Sequence, residues 1–376
     1  RCQVHQGPSC ATTGDDDITS YISSTKQIIK MLKVLCAIFA ASTAGLLIAS
    51  IVLGTQDNSD STTEEVFVRY TPEAKFIKDP MTGTNVCDGA KAVIENTACF
   101  VNDTVAVLGQ AGANVTEGYV GDLDMSDTPP FTDAYFTGGL CPVNVHWHLG
   151  AEHLSVGQYD ADGKGPEDDH EGHDHRALAE DARLGGRCHH YDSADAKFTT
   201  EYDWEHCVGM HVGETYEVHW PHSIAGACGT VDQYQTPFYD GVFCHIERLG
   251  NLTGLQNMVA VQGQVFTIVN DEDYYFPDLM RGMIVDEGLG MGVEVTKYTG
   301  STTGTSRDNE VCSGYAPITW QVDRKCHMVS ASTFDKMCAD MKAQRDDMSD
   351  DLYAHGSRIV VSDALAANNQ VNRDRY

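Results

Sequence analysis

Short runs of alternating apolar and polar positions recur along the chain and predict β-strands; helical periodicity is scarce. In the run Val-Asn-Val-His-Trp-His-Leu, residues 143–149, a period of two puts Asn144, His146 and His148 on one strand face and Val143, Val145, Trp147 and Leu149 on the other. Residues 213–222 repeat the pattern, with Thr215, Glu217 and His219 on one face and Tyr216, Val218 and Trp220 on the other. Residues 258–269 and 318–322 read as further strands, and 333–347 carries the main helical signal. The fold class expected is mainly β: an antiparallel β-sheet core with a few peripheral helices.

The N-terminal part differs. Residues 34–53 are an uncharged apolar run, long enough at about 1.5 Å per residue to cross a hydrocarbon core of about 30 Å, so a transmembrane helix is expected over 34–54. Residues 1–33 then form a short N-terminal segment, 55–65 a polar linker, and 66–376 a globular domain with a His-rich insertion at 161–210. Lys26, Lys30 and Lys33 precede the apolar run, while Asp57, Asp60, Glu64 and Glu65 follow it. That asymmetry puts the N-terminus on the cytosolic side and the large domain outside the cell or in an organelle lumen.

A formal net charge of −30 excludes nucleic acid, whose phosphates demand a basic surface. Thirteen cysteines agree with an oxidising compartment, and setting aside Cys2, Cys10 and Cys36 leaves ten for disulfides. Sequons at Asn102, Asn114 and Asn251 fit export. Within the insertion, Cys188, His189, His206 and Cys207 are metal-ligand types, but in such a compartment a disulfide with surface histidines beside it is the favoured reading. His170, His173 and His175 sit in an acidic run that reads as a solvated loop ahead of a helix over 176–183.

The alternating histidines carry the chemistry. His146 and His148, roughly 7 Å apart along the backbone, can share a metal ion, and His219 on a neighbouring antiparallel strand is the third ligand. Three neutral imidazoles leave a fourth position open, which suits a catalytic zinc; closed structural sites usually use cysteine. Each ligand ring needs an acceptor on its other nitrogen. Glu217 lies two residues before His219, and Asn144 two before His146, on the same faces. His153 is out of phase with the ligand face and reads as a hydrogen-bonding residue. His222 follows Pro221, which is expected to disrupt the strand ladder, and is rejected as a ligand.

The His-x-His strand with Glu152-His153 after it, and the later Glu-x-His-x-x-His, resemble the alpha class of carbonic anhydrases. The wording Val-Asn-Val-His-Trp-His-Leu-Gly-Ala-Glu-His and Glu-Val-His-Trp-Pro-His-Ser is closest to the delta class of marine microalgae. The resemblance implies an alpha-type β-sheet fold and reversible hydration of carbon dioxide to bicarbonate and a proton through a zinc-bound hydroxide. It also implies that Glu217 and Asn144 are indirect ligands, and that a gatekeeper threonine bonds the buried Glu152. An ungapped match puts that threonine at Thr303, while a shift by one residue would promote Thr302. By collinearity Val218, Val265 and Trp320 are candidates for the hydrophobic wall that receives carbon dioxide. Zinc is the expected ion, with Co2+ or Cd2+ as substitutes, because three imidazoles accept several divalent ions. The partners expected are carbon dioxide and bicarbonate, the lipid bilayer through 34–53, and a larger membrane complex of which the chain would be one component. Two rival functions use the same residues: a zinc esterase, and a non-catalytic membrane scaffold or assembly subunit.

Overall fold

The computed structural model describes residues 84–90, 112–166, 185–300, 317–345, 348, 351–357, 360 and 363–372, all within the unit Ala74–Tyr376. The apolar run 34–53 with its lysine flank, the linker 55–65, the start of the domain at 66, Asn102, the histidines and helix of 170–183, and Thr302 and Thr303 lie outside the described residues. Among the described residues no helix is long and apolar enough to cross a membrane.

Ten strands are present among the described residues: β1 (Cys141–Pro142), β2 (His146–Leu149), β3 (Tyr159–Asp160), β4 (Arg187–Cys188), β5 (Thr215–Ser223), β6 (Val259–Val269), β7 (Val295–Gly300), β8 (Ile318–Ser330), β9 (His355–Gly356) and β10 (Val371–Asn372). Eight of them form one sheet in the order β10-β7-β8-β6-β5-β2-β9, with β1 paired to the end of β5; β3 and β4 make a separate ribbon. The sheet is mixed, which corrects the antiparallel expectation, since β6 pairs with β8 and β2 with β9 in parallel. Alternation along one strand carries no information about the direction of its neighbour. Here β7 and β8 pair antiparallel, and β8 inserts between β7 and β6.

Among the described residues the α-helices are α1 (Ala196–Thr199), α2 (Phe238–Val242) and α3 (Ala331–Gln344). α3 is the helix expected over 333–347. It starts earlier because the Ser330 hydroxyl accepts from Thr333 N at 3.2 Å and caps the first turn. β8 is longer than the stretch 318–322 predicted for it. Asp323, Arg324 and Lys325 break the apolar alternation, yet Asp323 is buried and accepts from Gln264 Nε2 (2.9 Å), Gly292 N (2.7 Å) and His327 Nε2 (2.7 Å).

The sheet separates two apolar clusters. Trp147, Tyr216, Val218, Trp220 and Phe266 fill one face, where Phe334 of α3 meets Trp147 edge-on at 5.8 Å. Val265, Tyr298, Trp320 and Val322 lie in the other cluster, on the face that carries Glu217 and His219. β5 is wholly buried and runs through Pro221 without a break, contrary to the expected disruption. The Pro221 carbonyl accepts from Val143 N at 2.8 Å, so its ring nitrogen faces the irregular gap between β1 and β2, where no ladder donor is required.

Disulfides Cys87–Cys244, Cys141–Cys228, Cys188–Cys326 and Cys207–Cys338 link distant segments. Cys188 and Cys207 are thereby committed to different partners, which removes them as metal ligands; His189 bonds Asp160 Oδ1 at 2.8 Å instead. Cys207–Cys338 closes a loop of 131 residues and ties α3 to the segment before β5. Replacing both cysteines by alanine is expected to lower unfolding free energy by about 4 kcal/mol through loop entropy released in the unfolded chain. Denaturant titration of the variant against the parent measures this.

Candidate metal centre

The β2–β5 register places His146 directly opposite His219 and His148 opposite Glu217. One strand therefore supplies two imidazoles and its neighbour the third, all pointing to the same side. Ring centroids are 5.3 Å apart for His146–His148, 5.4 Å for His146–His219 and 4.8 Å for His148–His219. One ligand atom from each ring lies within 4.8 Å of the other two, and all three side chains are buried.

Hydrogen bonding assigns the tautomers. Asn144 Nδ2 donates to Gln235 O at 2.6 Å, so Asn144 Oδ1 faces His146 Nδ1 at 2.7 Å and that ring nitrogen donates. His148 Nδ1 faces the Gly356 carbonyl at 3.1 Å and Glu152 Oε1 at 3.2 Å, and therefore also carries the proton. His219 Nε2 donates to Glu217 Oε1 at 2.9 Å. The lone pairs left for an ion are Nε2 of His146, Nε2 of His148 and Nδ1 of His219.

Glu217, fully buried, is ringed by donors. Oε1 accepts from His219 Nε2 and from His153 Nδ1 at 2.6 Å, while Oε2 accepts from the backbone N–H groups of Glu152 and His153. Burial pushes its pKa up, but the facing imidazoles of His153 and His219 and their hydrogen bonds prevail and hold it well below the usual carboxylate range. The second convergent group, His153 with Glu217 and His219, is explained by these bonds. His153 is the hydrogen-bonding residue expected: its Nε2 accepts from Tyr298 OH at 2.6 Å, and Trp320 packs edge-on at 4.9 Å. Glu152, fully buried, also approaches His219, with Oε2 3.9 Å from Nδ1.

His222 lies outside the triad. Its Nδ1 bonds Trp220 O at 2.7 Å, and Tyr135 meets its ring at 4.9 Å. Burial lowers its pKa from 6.5 to about 4, the bond to the Trp220 carbonyl only partly opposing this. The unfolded chain thus takes up a proton that the folded chain refuses, so stability is full above pH 6.5 and falls as pH drops toward 4. His222→Phe is expected to shed this component of acid lability, on the order of 3 kcal/mol, as read from unfolding midpoints across that pH window.

Trp320 packs on His219 at 5.1 Å, and Val265 pairs with Glu217 on the same face. Val218 does not belong there: it pairs with Trp147 and lies in the opposite cluster, because an odd offset from His219 reverses its direction. Phe238 of α2, which sequence reasoning missed, lies 5.9 Å from His146. The sequence reading also passed over Asp351, His355 and Gly356. The only local signal there is the i,i+4 spacing of Asp351 and His355, a pairing too common to be noticed.

A protein-family model described as Delta carbonic anhydrase matches residues 137–333 of the 376, just over half of the chain, and takes in all three histidines. The chain belongs to the delta carbonic anhydrase family. No curated protein matches it. This delta carbonic anhydrase is accordingly a lyase whose substrates are carbon dioxide and bicarbonate, and the family depends on a metal ion. Its donor set fits one: three imidazoles converge, and among the described residues the side chains that face the buried Glu217 carboxylate at ion-pair distance are imidazoles. A divalent cation on His219 would balance that carboxylate.

Proposed function

We propose that the chain is a membrane-anchored enzyme that hydrates carbon dioxide reversibly, with zinc held by His146, His148 and His219. The observation that carries this is the opposed pair His146 and His219 with His148 on the same face, three imidazoles with no thiolate among the described residues, within the family-matched region. Zinc bound there supplies an acidified water and a Lewis acid, the chemistry for which carbonic anhydrase is itself the standard example. Asn144, Gly356 and Glu217 hold the three rings in the tautomers that leave ligand lone pairs inward. Glu152, buried beside His148 and His219, would serve in this reading as the acceptor for the Thr303 hydroxyl. Such a bond would leave the threonine oxygen able only to accept, and so able to orient a reacting oxygen toward the substrate carbon. Trp320 and Val265 supply apolar surface on the site's face.

Full-length protein purified in detergent should hold one zinc per chain and hydrate carbon dioxide in a stopped-flow pH-indicator assay; metal-free, inactive protein would sink the proposal. Thr303→Val should keep the metal but slow turnover, with Thr302→Val milder. The reverse ranking would move the gatekeeper by one residue. A zinc esterase would instead hydrolyse an ester substrate on the same preparation without hydrating carbon dioxide, and the intact triad speaks against a purely structural subunit.

The anchor is the apolar run 34–53, with the catalytic part on the non-cytosolic side. Four disulfides among the described residues support an oxidising compartment, and Asn251, one of the sequons, is exposed. Carbon dioxide crosses a bilayer where bicarbonate, a charged ion, does not, so anchoring would place interconversion beside the permeable route. In sealed vesicles of known orientation, externally added protease should reach the His146-containing part only from the exoplasmic face. Cleavage only from the cytosolic face, with those cysteines alkylated, would refute the topology.

A further inference from the structure

The metal centre borrows support from a segment beyond the family match. Gly356 O holds His148 Nδ1, β9 pairs with β2 through His148 and His355, and Ser357 Oγ donates to Leu149 O at 2.8 Å. Asp351 ties this segment to the ligand strand. Its Oδ1 accepts from His355 Nε2 at 2.8 Å, and its Oδ2 from Asn144 Nδ2 at 3.2 Å and Thr236 Oγ1 at 3.3 Å. His355 in turn stacks on His146, with centroids 5.2 Å apart and planes 16° from parallel.

We infer that Asp351 is a positioning residue of the metal centre: through Asn144 and His355 it fixes the His146 ring with Nδ1 protonated and Nε2 turned to the ion. This rests on His146, His148 and His219 being that centre. Asn144 has two amide protons, and Gln235 O takes one. Without the carboxylate the second is left in a buried site with its strongest acceptor gone. The amide can then swing, and His355 loses the bond that holds its ring against His146. Both effects loosen one ligand of three without touching the ion.

The test measures zinc affinity of full-length protein by competition with a chromophoric chelator, alongside the visible spectrum of the cobalt-substituted form and the ring-nitrogen NMR of His146. Asp351→Ala should weaken zinc binding about 10- to 100-fold, the range for outer partners of metal ligands, and alter the cobalt bands. Asp351→Asn should restore most of the affinity, since its carbonyl still accepts from Asn144 and its amide can donate to His355 in the other tautomer. Because Asp351 acts in part through Asn144, the Asn144→Ala/Asp351→Ala double variant should lose clearly less affinity than the product of the two single losses, the remainder being the His355 route. A folded Asp351→Ala protein with parental affinity and spectrum, or effects that multiply independently in the double variant, would overturn the inference. Should Asp351→Ala not fold, metal-free wild type decides: His146 protonated at Nδ1 and both Asn144 amide protons protected from exchange support the inference, and the opposite tautomer or a freely exchanging amide overturns it. Wild type that binds no zinc would instead sink the metal-centre reading itself.

Discussion

His148→Ala is expected to abolish hydration and strip the protein of its metal. His148 supplies one of three protein ligands, and two imidazoles cannot hold a divalent ion against solvent with comparable affinity. The ring is 5 % exposed and bonded at Nδ1 to Gly356 O, so truncation also opens a small buried void between β2 and β9. Cavity formation at such a site costs about 2 kcal/mol or more, which lowers the melting temperature without preventing folding. Metal analysis by mass spectrometry and stopped-flow hydration on the same preparation check the result. His222→Ala should retain the metal, because that ring lies off the triad. A protein that keeps its zinc after loss of His148 but not after loss of His222 would reverse the ligand assignment.

Glu217→Gln should be nearly as damaging as Glu217→Ala, despite its matching shape. Every partner of this side chain is a donor: two imidazole N–H groups and two backbone N–H groups. A carboxylate can accept from all four. An amide must present its own N–H₂ to one pair, leaving buried donors facing donors at about 1–3 kcal/mol each. Loss of about 3 kcal/mol or more in unfolding free energy is therefore expected for both variants, together with weaker metal retention because His219 Nε2 loses its acceptor. Glu217→Asp, shorter by one methylene, should fall between them and the parent. Chemical denaturation monitored by tryptophan fluorescence, paired with zinc competition, separates the two effects. Glu217→Gln as stable as the parent and with its full zinc affinity would show that the four-donor arrangement is not what holds this part of the site.

The low folded-state pKa of Glu217 gives the same residue a pH signature. Its carboxylate adds stability that is fully present above the unfolded value near 4.5 and is lost only as pH falls through its much lower folded value. The acid lability assigned to His222 begins well above that window, near pH 6.5, so the two can be told apart by which variant removes which part of the pH profile.

Much of the site was legible because its logic is local. Period-two alternation decides which side chains share a strand face, and it placed Asn144, His146 and His148 together, and Glu217 with His219, before any strand was paired. The same parity set His153 apart from the ligands, whereas His222 was set apart by an expected break at Pro221 that β5 does not show. Parity also should have excluded Val218, which sits one position from His219 and points to the opposite core. His-rich wording beside acidic outer partners identified the family, and the family match agrees. Less was legible where local rules conflict with tertiary demand: the charged run at Asp323 looked like the end of β8, but a buried acceptor for Gln264, Gly292 and His327 lets the strand continue.

By itself the sequence determined the strand faces, the three imidazoles with Glu217 and Asn144 behind them, and the mainly β class, since each follows from the chirality and pleat of a single strand or from residue chemistry at short spacing. Tertiary structure alone decided the pairing of His146 with His219, the parallel neighbours in the sheet, the partners of the cysteines, and the return of Asp351, His355 and Gly356 to strand β2. Gly356 O and His148 Nδ1 are 208 positions apart. Contacts at that separation depend on how loops close and which register buries the most surface, and no periodicity along the chain encodes either.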